Sequence, residues 1–162
     1  MKNLLITILS LICLTLTSFA DESNEALDFF NKYVNAANTY SPTVIEMYSP
    51  SAKIIREVIK PDGTTVKLAT DTATYIKQMK LSQATAKLKH YKNTYTEIKV
   101  TQAGNGSYKV SSLRQPSGET YKLKTYMILK KQPDGNWLII EELMQTKVQT
   151  LLKFADKNNI IE

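Results

Sequence analysis

Between residues 25 and 40 apolar side chains recur at three- and four-residue intervals in two adjoining stripes, Leu27, Phe30, Val34 and Ala37 beside Phe29, Tyr33, Ala36 and Tyr40. That period predicts a helix with an unusually wide apolar face, one that needs to be wrapped rather than merely leaned upon. Ser23 is placed to cap it, with Asp21, Glu22 and Glu25 at the positive end of its dipole. Ser41-Pro42 predicts a short second helix from Thr43 to Tyr48, and a break follows at Ser49-Pro50-Ser51. From Lys53 the pattern changes to strand-like runs separated by turn signals, "KPDGT", "AGNG", "QPSGE" and "QPDGN". These predict strands near 53–60, 64–69, 91–102, 107–115, 119–131 and 136–146. Asp71 or Thr70 caps an intervening helix containing Ala73, Tyr75, Ile76 and Met79, which 81–90 extends or leaves. Val148, Leu151, Leu152 and Ala155 have the spacing of an amphipathic C-terminal helix.

The expected class is therefore α+β: a strongly curved, mainly antiparallel six-strand sheet around N-terminal helices, with a C-terminal helix added. Long antiparallel strands twist and coil, so the sheet becomes a cone with an internal pocket at its wide end.

The last predicted strand, "NWLIIEELMQ", carries adjacent acids inside a hydrophobic run. Neighbouring strand residues face opposite ways, so one of Glu141 and Glu142 points inward. Strict alternation groups Trp137, Ile139, Glu141 and Leu143 on one face and Leu138, Ile140, Glu142 and Met144 on the other. It leaves open which face is the inner one.

The first twenty residues, "MKNLLITILSLICLTLTSFA", have a basic start at Lys2, an apolar run to about Leu16, and small Ser18 and Ala20. This is the layout of a signal peptide cleaved after Ala20; the run is short of the ~20 residues of a membrane span. Export to the periplasm or medium is the expectation. Cys13 is the chain's only cysteine, and bulky Ile12 before it argues against lipid attachment. Cleavage leaves no thiol, disulfide or cysteine metal site. Residues 21–146 read as one domain and 147–162 as a helix and tail. The 162 residues carry a net charge of +6, unevenly spread. Residues 21–50 hold five acids and one Lys, whereas 87–131 hold ten Lys or Arg and two acids. Such a basic surface suits an acidic partner or simply keeps a sheet face in water; export argues against nucleic acid.

This layout resembles the nuclear transport factor 2-like superfamily, which includes SnoaL-like cyclases and ketosteroid isomerases. The helix "ALDFFNKYVNAANTY", the hairpin "AKIIREVIKPDGTTVKL" and the closing "KKQPDGNWLIIEELMQ" carry the resemblance, over residues 25 to 146. It implies a pocket between concave sheet and helices, and pairing of two copies through the convex face. A looser similarity is to exported phospholipid carriers.

Isomerase-like members use an acid as base with acidic or phenolic donors holding an oxyanion. The corresponding catalytic candidates are Glu141, Glu142 and, as the lone histidine, His90. One histidine without cysteines or clustered acids makes no metal site, and no cofactor motif is present. Arg114 and Arg56 are the only arginines in a lysine-rich chain, and both lie in predicted strands. Arginine suits the two-point gripping of a carboxylate or phosphate; Glu57 or Glu141 is the alternative partner, and the inner acid could equally pair with Lys147 or Arg114. Tyr33, Tyr75, Tyr95, Arg114, Trp137 and Glu141 form the expected ligand-binding set, an amphipathic wall for an apolar molecule with a polar tip. Three functions fit: a non-catalytic binder of a small apolar or amphipathic molecule such as a lipid, a scaffold contacting envelope proteins or its own copy, and a lyase, cyclase or isomerase with an inward glutamate. The absence of an evident acid–base set favours the first.

Overall fold

In the computed structural model the described residues are 21–155 and 159–161. The expected signal segment, 1–20, lies outside them. Helix α1 runs over residues 21–38 and buries Ala26, Phe30, Tyr33 and Ala36. From the flanks of the two stripes Phe29, Val34 and Ala37 pack half-buried against the same core. Because the helix is already formed at residue 21, Ser23 lies within it and is no cap. The chain turns at Tyr40, whose φ is +58°, and Ser41 caps a 3-10 helix, Pro42–Met47, its hydroxyl accepting from the Thr43 N–H.

Strands β1 (Tyr48–Ile59) and β2 (Thr65–Thr70) form a hairpin, and α2 (Thr72–Leu88) follows. The Asp71 side chain accepts from Thr74 N at 2.8 Å and starts that helix, while Thr72 ties it to β1 by donating to the Ala52 carbonyl. Strands β3 (Asn93–Gly104), β4 (Ser107–Pro116), β5 (Leu123–Lys131) and β6 (Trp137–Thr146) make the meander. The β3–β4 turn is Asn105-Gly106, both with positive φ, the geometry whose twist matches that of the flanking strands.

The sheet has seven strands in the order β3-β4-β5-β6-β1-β2-β7, one more than expected. Among the described residues its one parallel pair, β1 with β6, brings the first hairpin beside the last long strand. The extra strand is β7 (Ile160–Ile161), paired with β2 at Lys67 and Leu68. In place of the expected C-terminal amphipathic helix, Gln149–Phe154 forms a 3-10 turn. Gln149 anchors it by donating to the Ile59 carbonyl at 2.8 Å.

The core lies between α1 and the concave sheet face: Phe30, Tyr33, Ile54, Val110, Met127, Leu129 and Ile139 are buried there. Wrapping the wide face of α1 is thus what the curvature accomplishes, each fully buried large side chain contributing about 1.5–3 kcal/mol. No described helix is long and apolar enough to cross a membrane.

Candidate functional site: a tyrosine-walled cavity in front of a buried ion pair

The inward acid is Glu142, fully buried at 0% exposure. The reason is a bulge in β6. Ile128 pairs with Glu141 and Leu129 with Ile139, so Ile140 is the extra residue and the alternation slips by one. Ile139 and Glu142, opposite Leu129 and Met127, therefore share the concave face, although strict alternation assigns them to different ones. Glu141 is turned to the convex face, where its carboxylate accepts from Tyr126 at 2.6 Å. Its expected ligand contact is therefore corrected: it lies on the far side of the sheet from the core.

Glu142 is pinned from two sides. Tyr48 donates to Oε2 at 2.5 Å, and Arg56 Nη1 stands 2.7 Å from Oε1 as an ion pair, off the line of a directed N–H bond. The partner of the inner acid is thus Arg56, and neither Lys147 nor Arg114; equally, Arg56 pairs with neither Glu57 nor Glu141. The Arg56 guanidinium also lies over the Tyr75 ring, 4.8 Å from its centroid. Burial opposes the charge on Arg56, but Tyr75, Glu142 and Tyr48 outweigh it and raise its pKa. Tyr33, Tyr48 and Tyr75 all have raised pKa values, first because burial penalises a phenolate and second because the Glu142 charge repels one. The three rings meet edge to face in sequence, Tyr33 on Tyr48 and Tyr48 on Tyr75. The Tyr33 and Tyr48 hydroxyls are 3.3 Å apart. Tyr48 has one proton and spends it best on the nearer, charged acceptor.

In front of this network lies a cavity of about 310 Å³. Helix α1 and the following turn supply Tyr33, Ala37, Tyr40, Val44 and Ile45; α2 supplies Tyr75, Met79, Gln83 and Ala86 with Lys80; the sheet supplies Asn93, Tyr95, Arg114 and Met144. Among the described residues its wall holds no carboxylate. Two amide contacts fix its shape. Asn38 and Asn93 exchange hydrogen bonds, Asn38 Nδ2 to the Asn93 carbonyl and Asn93 N to Asn38 Oδ1, both 2.9 Å, locking the end of α1 to the start of β3. Gln83 Nε2 donates to the Tyr40 carbonyl at 2.6 Å and holds α2 against the same end.

Arg114 is 5% exposed. Nη1 donates to Asn93 Oδ1 (2.8 Å) and the Tyr91 hydroxyl (3.4 Å), and Nη2 to the Gln145 carbonyl (3.0 Å). Nε has no partner, nor has the buried Tyr40 hydroxyl.

Of the residues expected from sequence, the structure brings Tyr33, Tyr75, Tyr95 and Arg114 together around this cavity. Trp137 is elsewhere: its indole N–H donates to Glu25 at 3.0 Å and its ring meets Tyr108, at the other end of α1. His90 is exposed, with φ +50°, in the turn after α2. It faces neither the cavity nor Glu142's network. Sequence reasoning missed Tyr48, Tyr40 and Asn93, and missed Arg56 as the counter-ion. For Arg56 a signal existed, an arginine amid lysines in a strand, and for Tyr40 its place on the apolar stripe of Tyr33; for Tyr48 and Asn93 there was none. Among the described residues no group of three or more His, Cys, Asp or Glu is placed to hold a metal ion.

No family model matches the sequence, and no curated protein matches it. Solved structures do match in shape. A protein from Novosphingobium aromaticivorans, provisionally named a scytalone dehydratase, has 12% identity and a TM-score of 0.58 over 79% of this chain and 85% of its own. A nuclear transport factor 2-like protein of unknown function from Shewanella oneidensis has 12% identity and a TM-score of 0.58 over 77% and 99%. A provisionally named ketosteroid isomerase from Shewanella frigidimarina has 17% identity and a TM-score of 0.53 over 72% and 91%. The fold is that of the nuclear transport factor 2-like superfamily, as the resemblance implied; at such identities the likeness concerns the fold alone.

Proposed function

We propose that this chain is an exported, non-catalytic pocket protein of the cell envelope that binds a small apolar or amphipathic molecule between α1, α2 and the concave sheet. One observation carries the reading: an apolar, aromatic cavity of about 310 Å³ is present while the buried acid behind it is already committed to Arg56 and Tyr48. Pockets of this kind are mostly apolar with a few convergent polar groups. An isomerase or dehydratase needs a base within ~3 Å of its substrate's proton. Glu142 has no exposed surface, and no carboxylate lines the cavity. Both facts favour holding over turning over. The neighbours named as dehydratase and isomerase share the scaffold, and a scaffold does not transmit a reaction. Export on residues 1–20 belongs to the same proposal.

The test is purification from the native host followed by mass spectrometry of a denatured extract. A stoichiometric apolar molecule is expected. An extract free of small molecules, from protein that also fails to take up any apolar probe, would overturn the reading.

A further inference from the structure

We propose that the molecule held in the cavity ends in a carboxylate and that Arg114 takes its charge. This rests on the reading of the cavity as a binding site and adds the chemical class of the occupant.

The described residues contain two close ion pairs, Arg56 with Glu142 and Lys131 with Glu25. Arg114, nine-tenths and more buried, belongs to neither. Its three hydrogen bonds go to an amide, a phenol and a backbone carbonyl, all uncharged. A buried cation is normally paired, because desolvating it unpaired is expensive. Arg56 shows how this chain treats a buried guanidinium when it has an acid to offer. Arg114 has been given none, and it is the one of the two that lines the cavity.

The donors left over have a matching geometry. A guanidinium has five N–H bonds in a planar fork; the recorded contacts use two on Nη1 and one on Nη2. The Nε–H and one Nη2–H remain. Nε and Nη2 together form the edge of the guanidinium that grips a carboxylate by two parallel bonds, and of that edge the Nε–H is the donor with no partner in the free protein. Because Nε is enclosed in the free protein, the grip requires a turn of the side chain that gives up the weak 3.4 Å contact to Tyr91 and bends the bonds to Asn93 and the Gln145 carbonyl, for which the new charged bonds compensate. The Tyr40 hydroxyl, buried, unpartnered and in the same wall, is a further donor. Lys80, exposed at the rim on α2, adds positive charge where an anion would enter. The same wall also carries apolar Ala37, Val44, Ile45 and Met79. A planar anionic head on an apolar body fits a lining of this mixed kind. With about 310 Å³ available, a medium-chain or two-ring acid suits the space, and a two-chain lipid does not.

The experiment is calorimetric titration of the purified protein with decanoate and with decan-1-ol, which share a chain and differ in the head. Decanoate is expected to bind at least tenfold more tightly, about 1.4 kcal/mol. Arg114→Met should bring decanoate down to the level of decanol and leave decanol within about twofold. Arg114→Lys, which keeps charge but loses the fork, should retain part of the preference. Equal or tighter binding of decanol by the native protein, or an undiminished decanoate preference in Arg114→Met, overturns the carboxylate assignment while the pocket reading stands. If neither molecule binds, the carboxylate assignment is overturned, and the pocket reading is decided by the native extract and the apolar probes. Should Arg114→Met not fold, the native pair and Arg114→Lys decide.

Discussion

The pairing of Arg56 with Glu142 makes a quantitative prediction about stability. Glu142 is fully enclosed, whereas the Arg56 side chain keeps 17% of its surface, so the two ends of the pair are unequal. Arg56→Met removes the cation and leaves a buried carboxylate with Tyr48 as its one close donor. Breaking a buried pair from one side destabilises by about 3–5 kcal/mol. The partial exposure of Arg56 means some water already screens this pair, and about 3 kcal/mol is expected. Glu142→Gln is milder, about 1–2 kcal/mol. The amide oxygen still accepts from Tyr48, and Arg56 can lean toward water. In the double variant neither charge remains, so its loss should fall short of the summed single losses by about 1–3 kcal/mol. Urea unfolding followed by the fluorescence of Trp137, the only tryptophan, measures all four proteins. With slopes of about 1–3 kcal/mol/M, Arg56→Met should lower the midpoint by about 1–3 M at unchanged slope. A loss below about 1 kcal/mol for Arg56→Met, or strict additivity in the double variant, would refute the idea that this pair supports the core.

Alkaline pH should unfold the protein cooperatively. Tyr33, Tyr48 and Tyr75 have pKa values raised above the ordinary value near 10 by burial and then by Glu142. Below pH 10 both states keep these protons and the stability is fully present. Above it the unfolded chain releases protons that the folded one retains, so stability falls by up to about 1.4 kcal/mol per pH unit for each tyrosine; the part of the phenolate absorbance owed to these three rings should appear with unfolding and not before it. Tyr48→Phe removes the donor to Glu142 Oε2 and should cost about 2 kcal/mol by thermal melting, with an effect under 0.5 kcal/mol counting against that bond. Met79→Trp, which fills cavity space from α2, should abolish decanoate binding in the same titration while secondary structure by circular dichroism is kept. Asp71→Ala, which deletes the cap of α2, should lower stability by about 1 kcal/mol.

Much of the fold was legible along the chain because local chemistry dictated it. The two apolar stripes of α1 needed no knowledge of what they face, the glycines at the hairpins mark φ values that other residues resist, and Asp71 caps its own helix. The tyrosine wall was legible in part: Tyr33 and Tyr75 sit on helical stripes whose inward direction follows from period alone, and Tyr95 and Arg114 pair directly across β3 and β4. Trp137 obeyed its strand pattern too, but facing inward did not place it in the cavity, because α1 fills the sheet's concavity at that end.

What the chain order withheld was set by contacts distant in sequence. A bulge at Ile140 involves no glycine or proline, and it arises where β6 must fit β5 on one side and parallel β1 on the other, so no local signal announces that Glu142 and not Glu141 turns inward. Arg56 and Glu142 are 86 positions apart and meet only through that parallel pairing. The closing turn and β7 likewise depend on the free edge of β2. Sequence determined the elements and their amphipathic faces, since these follow from the backbone and neighbouring side chains. Tertiary structure decided register, counter-ion and cavity, since these are properties of the space between elements.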